Sequence, residues 1–147
     1  VKLLSSDSGN ALVEFALILP IFVFIVLGLV NYSLRIQSAM QLAEAANAGA
    51  AFGAIPGNLA NVTGMQNAAR AAAPGITGLT AVASQIWTCT PGGTQVASSS
   101  TCSGYGTPIQ YVDVTTSASV PALFSWPGLS SALTLSQTVY IRVPWTP

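Results

Sequence analysis

Asp7, Glu14, Glu44 and Asp113 are the only acids of this chain, and Lys2, Arg35, Arg70 and Arg142 the only bases. There is no histidine. The four bases are scattered, so no patch can neutralise a run of phosphates and a nucleic-acid partner is not expected. The acids are equally scattered. General acid-base and metal chemistry therefore have little to work with. Among the many serines none sits in GxSxG, and HExxH, P-loop and dinucleotide fingerprints are missing. A serine nucleophile assisted by Glu44 or Asp113 would lack an evident base. The sequence predicts no enzyme, no cofactor and no small-molecule substrate.

Cys89 and Cys102 are the only two cysteines. The stretch between them carries Pro91, Gly92 and Gly93, whose turn chemistry permits the ends to meet. Their spacing is not CxxC, so metal and redox-motif readings are weak. The favoured reading is a structural disulfide, which places this part of the chain in an oxidising compartment.

The elements that must carry these residues are unusually apolar. Charged residues make up 5% of the 147 residues and the mean hydropathy is +0.60, against about 25% charged in an ordinary soluble domain. Residues 11–30 read ALVEFALILPIFVFIVLGLV, an apolar run of bilayer length with Glu14 as its one charge. A membrane span is expected there. A cleaved signal peptide is the weaker reading, because no Ala-x-Ala-like end follows Val30. Strong helix formers continue beyond the span with no proline before Pro56, which predicts one helix over residues 10–54. At Pro20 the missing donor and the clash with the Ala16 carbonyl predict a kink or a short melted stretch. Ala39, Ala43, Ala46 and Ala50 give the outer half a smooth surface suited to close approach by a helix or a sheet.

Residues 55–147 form the expected globular part, with residues 1–9 a leader-like segment. Ile55, Pro56 and Gly57 break the helix, and Asn58 is the expected cap of a second one ending near Ala73, with Leu59, Val62, Met65 and Ala69 on one face. The triplets at Asn31 and Asn61 match a glycosylation acceptor but are common by chance. Period-two patterning then appears. Over 109–120, Val112, Val114, Ala118 and Val120 share one face; over 133–143, Leu133, Leu135, Val139, Ile141 and Val143 do. Residues 79–89 make a less regular third strand. The predicted class is α+β: a long N-terminal membrane-spanning helix whose outer half covers one face of a small antiparallel sheet.

The stretch Gly9-Asn10-Ala11-Leu12-Val13-Glu14-Phe15-Ala16-Leu17, ending in Pro20, resembles the N-terminal signature of the TadE-like family, pilin-like membrane proteins of tight-adherence type IV pilus systems. Residues 111–143 also resemble this family, with Pro121-Ala122-Leu123-Phe124 and Trp126-Pro127-Gly128-Leu129 between two strands and Arg142 near the end. In pilin-like proteins a prepilin peptidase cuts after a glycine, and a glutamate stands fifth in the mature chain. The resemblance thus implies cleavage between Gly9 and Asn10, and Glu14 as the acid that registers one subunit against a neighbour's amino terminus.

This sequence retains residues before Asn10, and Val1 is not methionine, so a chain processed or truncated upstream is expected. Glu14 would then pair with Lys2 or the Val1 amine of a neighbour. A carboxylate in an apolar span is costly independently of any family, so it needs a partner or a place near the headgroups. Phe15, Leu123, Phe124 and Trp126 are candidate subunit contacts, although a proline-bounded apolar loop such as 121–129 more often closes its own core. Tyr105 and Trp145 are open to the same two readings.

The resemblance and the apolar helix together predict a pilus subunit, major or minor, partnered by copies of itself, by the pilus assembly machinery and, before assembly, by the membrane. The alternative is a single-span assembly factor that does not polymerise. Cys89 and Cys102 outside imply a cytoplasmic N-terminus in a bacterial inner membrane before assembly and an extracellular filament afterwards. Lys2 agrees with that orientation and Arg35 opposes it.

Overall fold

A computed structural model describes residues 7–104, 106–124 and 130–143. Val1, Lys2, Tyr105, the 125–129 stretch with Trp126, and Trp145 lie outside the described residues. The uninterrupted helix formers after the first residues fold as α1, Asp7–Ala54, 48 residues long. At 1.5 Å per residue this is roughly 70 Å, about twice the apolar thickness of a bilayer. Helical structure is continuous through Pro20, so the helix is not melted there: a proline in a long helix forfeits one donor, and the turns on both sides hold. Two compact units divide between Ile36 and Gln37. The first holds the apolar part of α1, and the second holds the rest of α1 and the globular part.

Within the second unit the C-terminal turns of α1 pack by their smallest residues. Leu42, Ala45, Ala46 and Ala50 are fully buried, a stripe at the i, i+3, i+4 spacing of one helix face. Gly49 and Gly53 continue it. A Cβ on Gly49 would lie 2.9 Å from the Met65 carbonyl oxygen and 3.1 Å from both Ala69 Cβ and Val114 Cγ1, and one on Gly53 would lie 2.6 Å from Met65 Cε. Of the smooth surface expected at Ala39, Ala43, Ala46 and Ala50, the last two are fully buried and the first two half-buried, and the stripe meets both a helix and a sheet of its own chain.

That helix is α2, Val62–Ala72. Its cap is Asn61, not Asn58: the Asn61 side chain accepts from the Gly64 amide at 2.8 Å, satisfying one of the free amides of the first turn. Asn58 instead forms a turn, its amide donating to the Ile55 carbonyl at 3.0 Å. With the start moved, the buried face runs Met65, Ala69 and Ala73, while Val62 stays exposed.

The strands are β1 (Thr80–Thr88), β2 (Gln95–Val96), β3 (Ile109–Pro121) and β4 (Ala132–Arg142). They form one antiparallel sheet in the order β2-β1-β3-β4. Alternation in β3 buries Val112, Val114, Thr116 and Ala118, and register sets Ala83 against Val114 and Val114 against Val139. Met65, Ala69 and Ala50 cover Ala81, Ala83, Val112 and Val114, with Val139, Ile141 and Val143 packed at the margin. β4 is an edge strand and none of its residues is fully buried. Leu133, expected inward, is 41% exposed, because it lies at the end of the edge strand remote from that core.

Cys89 and Cys102 are joined by a disulfide, with Cα atoms 5.3 Å apart. The chain between them turns back through β2, which pairs with Trp87 and Thr88, and Cys102 exchanges two main-chain hydrogen bonds with Gly106.

Candidate functional site

The feature that stands out chemically is what the first unit leaves uncovered. Every residue from 11 to 30 is exposed except the half-buried Leu27. Leu12 and Leu17 show 70% and 71% of their surface. The most apolar 18-residue window of this helix has a mean hydropathy of 2.8. Runs of branched and aromatic side chains all round a helix, without a polar stripe, have no stable place in water and require lipid or other apolar helices as their surroundings. The segment is therefore long and apolar enough to cross a membrane.

Glu14 and Phe15 stand on this exposed stretch, about two turns after Asp7, where α1 begins. Glu14 is the sole acid among residues 11–30. Gly9 and Asn10 fall inside the first turns of α1, and Lys2, the proposed counter-charge, lies outside the described residues. The structure thus places Glu14 and Phe15 on an exposed helical stretch.

In the loop after β3, Leu123 and Phe124 remain exposed, at 57% and 39%. They do not close the domain's own core. The core is already sealed by α1 and α2 on the inner face of the sheet, and the loop leaves from the end of β3 beyond it. Among the described residues, no three His, Cys, Asp or Glu side chains converge as a metal site would require.

Three positions that hold the globular part to α1 escaped the sequence reading. Thr116 is fully buried and its hydroxyl donates to the Leu42 carbonyl of α1 at 2.8 Å. Its in-phase position between Val114 and Ala118 was the available signal. Gly49 and Gly53 gave a weaker one, since glycine near the end of a helix also reads as a simple stop.

No curated protein and no solved structure matches the chain. A family model does match, over residues 9–51, from the glycine of the signature through the small-residue stripe of α1. The C-terminal stretch 111–143 lies outside the matched residues. Over this long helix, the segment that carries Glu14, Pro20 and Gly49, the chain is similar to the TadE-like proteins, the family associated with the tight-adherence pilus.

Proposed function

We propose that the chain is a structural subunit, major or minor, of a tight-adherence pilus filament, and that it has no catalytic role. The observation that carries this reading is the exposed, all-round apolar surface of residues 11–30. Before assembly the bilayer covers that surface. On assembly, helices of neighbouring copies replace the lipid around one another, so apolar area stays out of water throughout and the transfer needs no soluble intermediate. The inner membrane holds the helix with its N-terminus on the cytoplasmic side, and the disulfide-closed domain lies on the oxidising side.

Glu14 supports this reading through its cost. A carboxylate among apolar helices lowers its energy by meeting a cation of the adjacent copy, which fixes one axial register for each added subunit. The amino terminus, or Lys2 where the leader is retained, supplies that cation. The sparse surface charge lets copies approach with little repulsion, and Phe15, Leu123, Phe124 and Trp126 are the apolar side chains we assign to contacts between copies.

Shearing filaments from cells and identifying their proteins by mass spectrometry tests the proposal. Recovery of this chain in the filament fraction, with its first residue read, supports a subunit and reports whether the Gly9–Asn10 bond is cut. Its confinement to the inner-membrane fraction while filaments form normally would instead make it an assembly factor that does not polymerise.

A further inference from the structure

Both edges of the sheet are open among the described residues. β4 is paired only on its β3 side, and β2 covers β1 only at Trp87 and Thr88, so residues 80–86 are uncovered as well. No main-chain hydrogen bond reaches either open edge from the other described residues. Antiparallel strands turn alternate residues toward each neighbour, and two bonds set the phase: the Val143 amide donates to the Gln110 carbonyl, and the Ala122 amide to the Ser131 carbonyl. Odd-numbered residues of β4 therefore face β3, and Thr134, Ser136, Thr138 and Tyr140 turn their amides and carbonyls outward. Carried across β3 in register, the same phase turns Ala81, Ala83 and Gln85 of β1 outward, on the side where Trp87 meets β2. Such edges are templates for a further strand, and proteins that must stay apart blunt them with lysine, proline or a bulge. None of the three is present. β4 carries one charge, Arg142 at its end, and β1 carries none; neither holds proline, and both ladders run residue for residue.

We propose that the two edges pair with each other between copies, β4 of one chain lying parallel to residues 80–86 of the next, so that one sheet continues from subunit to subunit. The occupant follows from direction. The Leu42 carbonyl accepts from Thr116, a Cβ on Gly49 would lie 3.1 Å from Val114 Cγ1, and one on Gly53 would lie 3.0 Å from Val112 Cγ1. As α1 advances it thus descends β3, so it runs in the same direction as β1 and β4, which are both antiparallel to β3. The inference rests on the reading of the chain as a filament subunit, in which every α1 runs in the same sense. The strands of adjacent copies then also point the same way. A β4–β4 pair is built on a two-fold axis and closes, and its antiparallel form reverses one α1. β4 against β1 is parallel and leaves a free edge at each end, the condition for an open filament.

The side chains suit this pairing. In parallel strands a residue whose amide and carbonyl point across the joint lies opposite one whose groups point away. Even-numbered residues of β4 therefore meet even-numbered residues of β1, and both sets stand on the sheet face turned away from α1, where Val82, Thr115 and Thr138 already align in one chain. Val82, 62% exposed, gains a neighbour, and no like charges meet. Residues 80–86 fit wholly against β4 in only three registers of this phase, with Val82 opposite Thr134, Ser136 or Thr138.

The test is disulfide trapping in cells that assemble filaments, with Val82→Cys placed on the same chain as Thr134→Cys, Ser136→Cys or Thr138→Cys. All four side chains are exposed. Within one chain Val82 and Thr138 flank Thr115, two strand spacings or about 9.6 Å apart, which is beyond disulfide reach. Thr134 and Ser136 lie further off, so a bond between Val82→Cys and β4 joins two copies. One of the three double variants should give a ladder of dimers, trimers and longer species on nonreducing gels, and each single variant should give none. No ladder from any of the three overturns the proposal, and so does a dimer from a single β4 variant, which would mean β4–β4 pairing. Sheared filaments and inner membranes are read separately. A ladder found only in the membrane, with filaments free of the chain, keeps the edge pairing and refutes the filament reading; filaments that contain the chain but show no ladder do the reverse.

Discussion

The hydroxyl of Thr116 donates to the main-chain carbonyl of Leu42 across 2.8 Å in the buried interior, joining the central strand of the sheet to α1. The Leu42 carbonyl belongs to a helix that already uses it, so Thr116 takes its second lone pair. The bond gives a polar side chain on an apolar sheet face a partner, and it fixes the helix along the strand as well as against it.

Replacing Thr116 by Val keeps the shape and removes the bond. The loss should be about 1 kcal/mol, the usual net worth of a neutral hydrogen bond, and Thr116→Ser should recover part of it. Chemical denaturation of the detergent-solubilised chain, followed by tryptophan fluorescence, measures both.

Gly49 and Gly28 should respond oppositely to alanine. At Gly49 the new Cβ meets the Met65 main-chain oxygen at 2.9 Å, and backbone cannot swing aside, so Gly49→Ala should destabilise by about 1–3 kcal/mol. At Gly28 nothing lies within 4 Å, and Gly28→Ala should leave the fold intact with a small gain in helix stability of about 1 kcal/mol or less. Thermal unfolding of the two variants beside the parent checks the contrast.

Asp113 sets a pH dependence whose sign follows from its raised pKa. In the unfolded chain it titrates near 3.8, and in the folded chain burial moves it above that value. Between the two values the folded state holds more protons than the unfolded state, so stability falls as pH rises through that window and is lowest above it. Asp113→Asn should flatten this segment of the stability profile and leave the variant at least as stable as the parent at neutral pH. Unfolding curves collected from pH 3 to pH 7 test the sign directly.

Reducing the Cys89–Cys102 bond frees a loop with a sequence separation of 13. On the chain-entropy model this costs about 3 kcal/mol. The loss should be felt first by the two-residue strand β2, which has few other ties. Hydrogen exchange of the Gln95 and Val96 amides, with and without reductant, should show their protection disappear before that of β3.

What the residues announced and what they withheld follow one physical line. The helix was legible because the apolar run over residues 11–30 is followed by strong helix formers with no proline before Pro56, and the period-two pattern of β3 was legible because Val112, Val114 and Ala118 alternate with polar neighbours. Thr116 sits in the same phase but reads as polar, and only a carbonyl brought from α1 explains its burial. Asn58 and Asn61 are equally good caps by type, and the turn through Ile55 decides between them. β2 is too short to show a period. Leu133 misled because alternation predicts a face, whereas burial also needs something to cover that face.

The central claim is that residues 11–30 exchange lipid for the same segment of neighbouring copies. An electron cryomicroscopy reconstruction of sheared filaments, with side chains traced, tests it most directly. The account predicts a helical polymer of this chain with residues 11–30 packed around the axis and Glu14 beside a positive charge of an adjacent subunit. Filaments built without this chain, or with residues 11–30 turned to the outside, would contradict it.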